Sequence, residues 1–208
     1  MLRAYKTEIN PTEEQKVLIN KTIGTCRFIY NFYIAHNKEV YEKEKKFVSG
    51  MDFSKWLNND FIPSNSDYSW IKEVSSKSVK KSIMDAEGAF KKFFKKQAKF
   101  PKFKKKGKSD VKMYFVKTNA KVIIPCERHR IKIPTLGWVQ LKEKGYIPTN
   151  SDTHIIKSGT VSVKAGRYYI SVLVEQSDFQ KVKQTGKGIG IDLGLKDFAV
   201  LSDGRVFN

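Results

Sequence analysis

The stretch Gly188-Ile189-Gly190-Ile191-Asp192-Leu193-Gly194-Leu195-Lys196-Asp197-Phe198-Ala199-Val200-Leu201-Ser202-Asp203-Gly204 reads as a hairpin. Ile189, Ile191 and Leu193 alternate with small or acidic residues, the pattern of a strand with one buried face. Phe198, Val200 and Leu201 supply a second apolar run, and Ser202-Asp203-Gly204 turns the chain toward a third strand at Arg205. Asp192 stands inside the first apolar strand, between Gly190 and Gly194. A buried carboxylate is costly unless it is paired or metal-bound, and flanking glycines let a ligand approach the backbone. The upstream chain is therefore judged by whether it delivers a substrate to that carboxylate.

Composition restricts the partner. The chain has 208 residues, a net charge of +19 and a pI near 9.8, with 40% hydrophobic residues. It can bury a real core, and its charge calls for a polyanion. No run of about 18 apolar residues occurs, and the start Met1-Leu2-Arg3-Ala4-Tyr5-Lys6 has no apolar signal core, so nucleic acid is favoured over a membrane. Cys26 and Cys126 form no CxxC pair, which fits two buried thiols in a reducing cytoplasm. His36, His129 and His154 show no metal-ligand spacing.

Residues 2–9 read as a strand ended by Asn10-Pro11, and Thr12-Glu13-Glu14-Gln15 fits a capping box. The helix it opens carries Ile19, Ile23, Cys26, Tyr30 and Tyr33 on one stripe, widened by Leu18, Phe28, Ile29 and Phe32, and is predicted to end near Ser49-Gly50. A short helix is expected over Met51–Asn59, then a loop through Ile62-Pro63-Ser64-Asn65-Ser66 and a short apolar piece at Tyr68, Trp70 and Ile71. Val79, Ile83, Ala86, Phe90 and Phe93 keep the spacing of a core-facing helix predicted from about Ser75 to about Lys99.

The end of that helix and its tail concentrate the charge. Lys91, Lys92, Lys95, Lys96, Lys99, Lys102, Lys104, Lys105, Lys106 and Lys108 are ten lysines in a segment without an acid. Phe100-Pro101-Lys102-Phe103 breaks the helix, so Lys104–Lys108 continue as a basic loop. Such a cluster supplies phosphate contacts, and each contact brings counterion release and salt dependence. Phe93, Phe94, Phe100 and Phe103 interleave with it, Phe90 and Phe93 lying on the core stripe.

From Asp110 the pattern becomes strand-like: Val111–Val116, Lys121–Ile124, Arg130–Ile133, Trp138–Leu141, Thr153–Lys164 and Arg167–Glu175, with Ala165-Gly166 as a hairpin turn. Short antiparallel strands of this kind suggest a small barrel or sandwich. The strand at 2–9 has no partner nearby in sequence and is expected to join that sheet, making the helical segment an insertion. Ser177–Lys187 reads as a polar linker. The fold class is thus α+β, an antiparallel β-barrel at 1–9 plus 109–180, a helical lobe at 10–108, and a separate sheet starting at 186–208.

Three readings of Asp192 stand side by side: a structural aspartate in a turn, a phosphate-loop aspartate of the actin and heat-shock ATPase type, and one ligand of a two-magnesium ribonuclease-H-like site. Gly190 to Ala199 followed by Ser202-Asp203-Gly204 closely resembles the first RuvC motif of the TnpB (OrfB) proteins of bacterial insertion sequences. Asn10-Pro11-Thr12-Glu13-Glu14-Gln15 with Arg27-Phe28-Ile29-Tyr30-Asn31 resembles that family's amino-terminal helix-turn-helix region. Phe100–Lys104, Ile133–Val139 and Gly159-Thr160-Val161-Ser162 resemble its later blocks in order.

The resemblance implies an RNA-guided DNA endonuclease with guide RNA and target DNA as partners, and a wedge-like barrel interrupted by a helical recognition lobe. Residues around Phe53–Lys81 would lie in that lobe and help read the target-adjacent motif. Asp192 would be the first Mg2+-binding carboxylate. The family's later glutamate, four-cysteine zinc finger and final aspartate do not occur in the 208 residues, and Asp197 and Asp203 read as turn residues. The expectation is a truncated RuvC domain in a chain that binds nucleic acid without cutting it. A non-catalytic repressor or accessory factor is the alternative.

Overall fold

The capping box at Thr12 is formed. Thr12 Oγ1 accepts from the Gln15 N–H at 3.3 Å, and Gln15 Oε1 accepts from the Thr12 N–H at 3.0 Å. It starts helix α1, Glu13–Glu44. The computed structural model describes residues 1–117, 123–177, 188–194 and 198–207, and the chain forms two compact units, Met1–Ser177 and Asp178–Asn208.

In the first unit a six-stranded antiparallel sheet is formed by β1 (Leu2–Asn10), β2 (Met113–Val116), β3 (Arg130–Ile133), β4 (Gly137–Leu141), β5 (His154–Lys164) and β6 (Arg167–Gln176). Their order is β2-β5-β6-β1-β4-β3. The opening strand does join the distant sheet: β1 pairs with β6 from Leu2↔Glu175 to Ile9↔Tyr168, and its last residues pair with β4. The sheet curls into an antiparallel half-barrel, with β2 and β3 as its edge strands among the described residues. Ala165 and Gly166, both at positive φ, make the tight turn between β5 and β6, the backbone twist such a hairpin requires.

Two apolar cores result, and α1 belongs to both. Ile19 closes the sheet core formed by Val161, Ile170, Val172, Val174 and neighbours. Ile29, Tyr30, Tyr33 and Ile34 are buried in a helical core with Phe53, Leu57, Ile83, Ala86 and Phe90. At about 1.5 Å per residue, the 32 residues of α1 give a spine about 48 Å long, so one helix reaches both cores.

Several boundaries differ from the periodicity. Helix α1 ends at Glu44, not near Ser49, because Lys45 takes the left-handed conformation (φ 57°) and the chain doubles back along the helix. Val48 is held there by side chains: Asn37 Oδ1 accepts its N–H at 2.8 Å, and the Tyr33 hydroxyl donates to its carbonyl at 2.8 Å. Helix α2 is Gly50–Trp56, and a π-helical turn, Leu57–Phe61, carries it into α3, Ile62–Ser64. The loop expected at Pro63 is therefore helical; proline sits at the start of that turn, where a missing N–H is tolerated. A 3-10 helix, Ser66–Glu73, precedes α4, Ser76–Phe94. Of the strand expected at 121–124, the first two residues lie outside the described residues, and Ile123 and Ile124 are not in a strand. In the linker reading, residues 178–187 also lie outside them.

The second unit contains β7 (Ile191–Asp192), β8 (Ala199–Leu201) and β9 (Val206–Phe207), antiparallel and in that order. Ser202-Asp203-Gly204 makes the expected turn. The buried face inferred from the alternation is not buried here. Leu193 is 70% and Phe198 71% exposed, and Ala199 is the buried apolar residue of this sheet among the described residues.

Candidate nucleic-acid interface

Helix α4 stops before the predicted Lys99. Lys91, Lys95 and Lys99 would stand at successive i,i+4 positions, each like-charge pair costing about 0.2–0.5 kcal/mol in a helix. The chain instead closes the helix with Lys96 in the left-handed conformation (φ 58°). The Gln97 N–H bonds the Lys92 carbonyl at 2.9 Å and the Lys96 N–H bonds the Phe93 carbonyl at 2.8 Å. This is the double closure that usually has glycine at the left-handed position.

Beyond the cap the chain is extended but tethered. Pro101 is buried, and the Phe100 ring meets Phe90 and Phe93 edge-on at 5.5 and 5.4 Å. Three residues later Asn31 of α1 grips the backbone twice. Its Nδ2 donates to the Lys104 carbonyl at 2.9 Å, and its Oδ1 accepts the Lys104 N–H at 2.7 Å. Lys104 Nζ lies 5.1 Å from the centre of the Tyr30 ring. Ser109 then closes a turn on Lys105, accepting its N–H on Oγ at 2.9 Å.

All ten lysines singled out from the sequence fall on this one continuous feature: Lys91 and Lys92 on the last turn of α4, Lys95 and Lys96 at its cap, and the others along the tethered segment. Nine are exposed and Lys104 is half-buried. Among the described residues only Lys91 has a carboxylate partner, Glu87 Oε2 at 3.1 Å. Glu87 is itself buried and accepts the Gly50 N–H at 3.2 Å, so this lysine is tied to the start of α2. Of the remaining nine, eight are exposed and Lys104 lies half-buried against Tyr30; their charge, without a carboxylate partner among the described residues, is open to phosphate. Phe90 is buried, as the stripe predicted, and Phe93 is half-buried against Phe94 and Phe100; Phe103 is exposed. Asn31 is the residue whose role the pattern did not reveal, since its partner is 73 positions away.

The second candidate is Asp192. Its side chain is exposed, correcting the buried carboxylate inferred from its strand. The space beside Gly190 is filled by Ser202, whose Cβ would lie 3.3 Å from a Cβ added to the glycine and whose Oγ accepts the Gly190 N–H at 2.9 Å. That glycine thus admits a neighbouring side chain. Asp203 is committed to Arg205, which donates from Nε at 3.0 Å and Nη2 at 2.7 Å; this guanidinium holds the Asp203 carboxyl below the usual range. Asp197 lies outside the described residues. Among the described residues no group of three or more His, Cys, Asp or Glu side chains is placed to hold a metal ion. Asp192 alone does not fit a two-magnesium site, which needs several oxygen ligands.

Comparison with known proteins decides the kinship. A helix-turn-helix domain family, that of OrfB proteins, matches residues 1–46. The chain is 32% identical over 206 residues to InsQ of Escherichia coli (strain K12), provisionally named an RNA-guided DNA endonuclease, covering 99% of this chain and 48% of that protein. The chain belongs to the TnpB (OrfB) family. A Streptomyces pristinaespiralis protein with the same provisional name is 26% identical over 98% of this chain and 48% of its own length. The virulence protein VsdF of Salmonella dublin is 30% identical over 113 residues, 51% of this chain and 95% of that protein.

This member of the TnpB family spans about half the length of its two nuclease-named relatives. Its segment 1–46 is one strand followed by one unbroken helix, so the helix-turn-helix name does not describe its geometry here. No described helix is long and apolar enough to cross a membrane.

Proposed function

We propose that this chain is the nucleic-acid-holding portion of an RNA-guided DNA endonuclease, gripping guide RNA and target DNA through the basic surface at Lys91–Lys108. The observation that carries the reading is the tethered, unpaired row of lysines. Nine of its ten cations have no carboxylate partner among the described residues, and Asn31 fixes the segment that bears them. The lysines neutralise phosphates and release counterions, a contact that follows either strand without reading sequence. In this reading no magnesium-dependent step is assigned to Asp192.

The test is to express the 208-residue chain and identify the nucleic acid that co-purifies with it. RNA of defined sequence that then directs duplex binding supports guided recognition. Magnesium-dependent cleavage that disappears in Asp192→Ala would overturn the binding-only assignment.

A second reading, an unguided DNA-binding repressor or accessory factor, rests on the same lysine surface, since phosphate contacts need no guide. DNA binding with no co-purifying RNA would select it.

A further inference from the structure

Below the tethered segment lies a cleft of about 560 Å³, between α4 and residues 104–114. Four lysines from three segments line it: Lys81 and Lys92 from α4, Lys104 from the tethered segment, and Lys112 just before β2. Lys81 pairs with Asp85, and Lys112 with Asp110 at 3.1 Å, while Lys92 and Lys104 have no acid partner among the described residues. Asp85 and Asp110 line it as well, beside Tyr30 and Tyr114, and Met84, Gly88, Ala89 and Val111 give it one stretch of apolar or small wall. The volume lies within the range of small-ligand pockets, and the lining combines an apolar wall with a few cations.

Gly88 leaves part of the α4 wall of the cleft without a side chain. It sits within α4, where glycine weakens a helix relative to alanine. A Cβ built on it meets nothing within 4 Å, so packing does not demand glycine there. Gly50 differs: its added Cβ would press on Ile83 and Glu87 at 3.3–3.4 Å. A side chain at position 88 would enter the cleft and little else.

We propose that this cleft receives one unpaired nucleotide of the bound strand, with its base against Met84 and Val111 and its phosphate between Lys92 and Lys104. A stacked duplex base cannot enter a concave pocket, whereas a splayed base with its own phosphate matches an apolar wall flanked by cations. The proposal rests on the lysine reading above and adds a contact to the base.

The test compares the full chain on 12-nucleotide oligo-U, oligo-dT and an abasic sugar-phosphate strand of equal length, by fluorescence anisotropy at fixed salt. The wild type is expected to bind one of the base-bearing strands about tenfold more tightly than the abasic strand, the order of one base contact. Whichever of the RNA and DNA strands gives that ratio identifies the source of the nucleotide. Gly88→Leu is expected to bring the ratio near one without changing abasic-strand affinity, in a protein whose melting temperature is retained. Met84→Glu, at an exposed position, is an independent second variant expected to lower the ratio likewise. A wild-type ratio near one, or a ratio unchanged in both variants, overturns the cleft assignment while leaving the lysine surface standing. Failure of the wild type to bind even the abasic strand removes the lysine surface, and the cleft falls with it.

Discussion

Gly159 shows why a single residue in a family block is what it is. A Cβ there would lie 2.4 Å from the Phe115 ring and 2.8 Å from the Ser171 carbonyl, so the β2–β5–β6 layer closes only over a hydrogen atom. Gly159→Ala is expected to destabilise the first unit by about 1–3 kcal/mol, the usual cost of overpacking, read as a lower denaturant midpoint with unchanged slope. Gln15 does more than its capping pattern announces. Besides closing the box, its Nε2 donates to the carbonyls of Leu136 and Trp138 at 3.0 and 2.9 Å, fastening the start of α1 to the entry of β4. The cap was legible because it involves neighbours three residues apart. The bridge was not, because its partners are more than 120 positions away. Asp192 errs in the opposite sense: its pattern is that of a buried strand, yet the described residues put nothing over it.

At the level of elements, what periodicity reports well is which face is apolar, and what it reports poorly is where a backbone stops. The stripes on α1 and α4 and the alternating strand at Arg130–Ile133 were all readable, since burial imposes them residue by residue. The ends of both helices were not, because Lys45 and Lys96 occupy left-handed positions where glycine is the usual signal. At Lys96 this carries a testable trade. Lys96→Gly is expected to stabilise the fold by about 0.5–1 kcal/mol by relieving a strained backbone, while removing one cation from the interface. A rise in melting temperature together with weaker binding to single strands would separate the residue's two roles; a parallel loss of both would refute the strain.

For the molecule as a whole, the relevant quantity is how the positive charge is held rather than how much there is. The +19 net charge would attract any polyanion, but one stretch combines density with a fixed path. Replacing Lys99, Lys102, Lys105 and Lys106 together by glutamine should flatten the dependence of log affinity on log salt by about 0.7 for each single-strand phosphate that is no longer neutralised. Four lysines replaced elsewhere, with an unchanged slope in the first variant, would show that the surface is dispersed. Asn31→Ala tests the fixed path itself: it keeps every cation, yet should weaken binding several-fold with little change in melting temperature.

The pairing of β1 with β6 also sets a timetable for the growing chain. Leu2 leaves the ribosome long before its partner Glu175 exists; at roughly 5–20 residues per second the wait is roughly 9 to 35 s. Through that interval β1 is a strand without a sheet, while the helices after it can already pack. Arg3, Lys6 and Glu8 place charge on that strand, the kind of residue that discourages pairing with another nascent chain. Replacing Arg3 and Lys6 by valine is expected to reduce the soluble yield at 37 °C far more than it lowers the melting temperature of whatever protein does fold. Equal soluble yield would mean that the early strand is protected by something other than its charge.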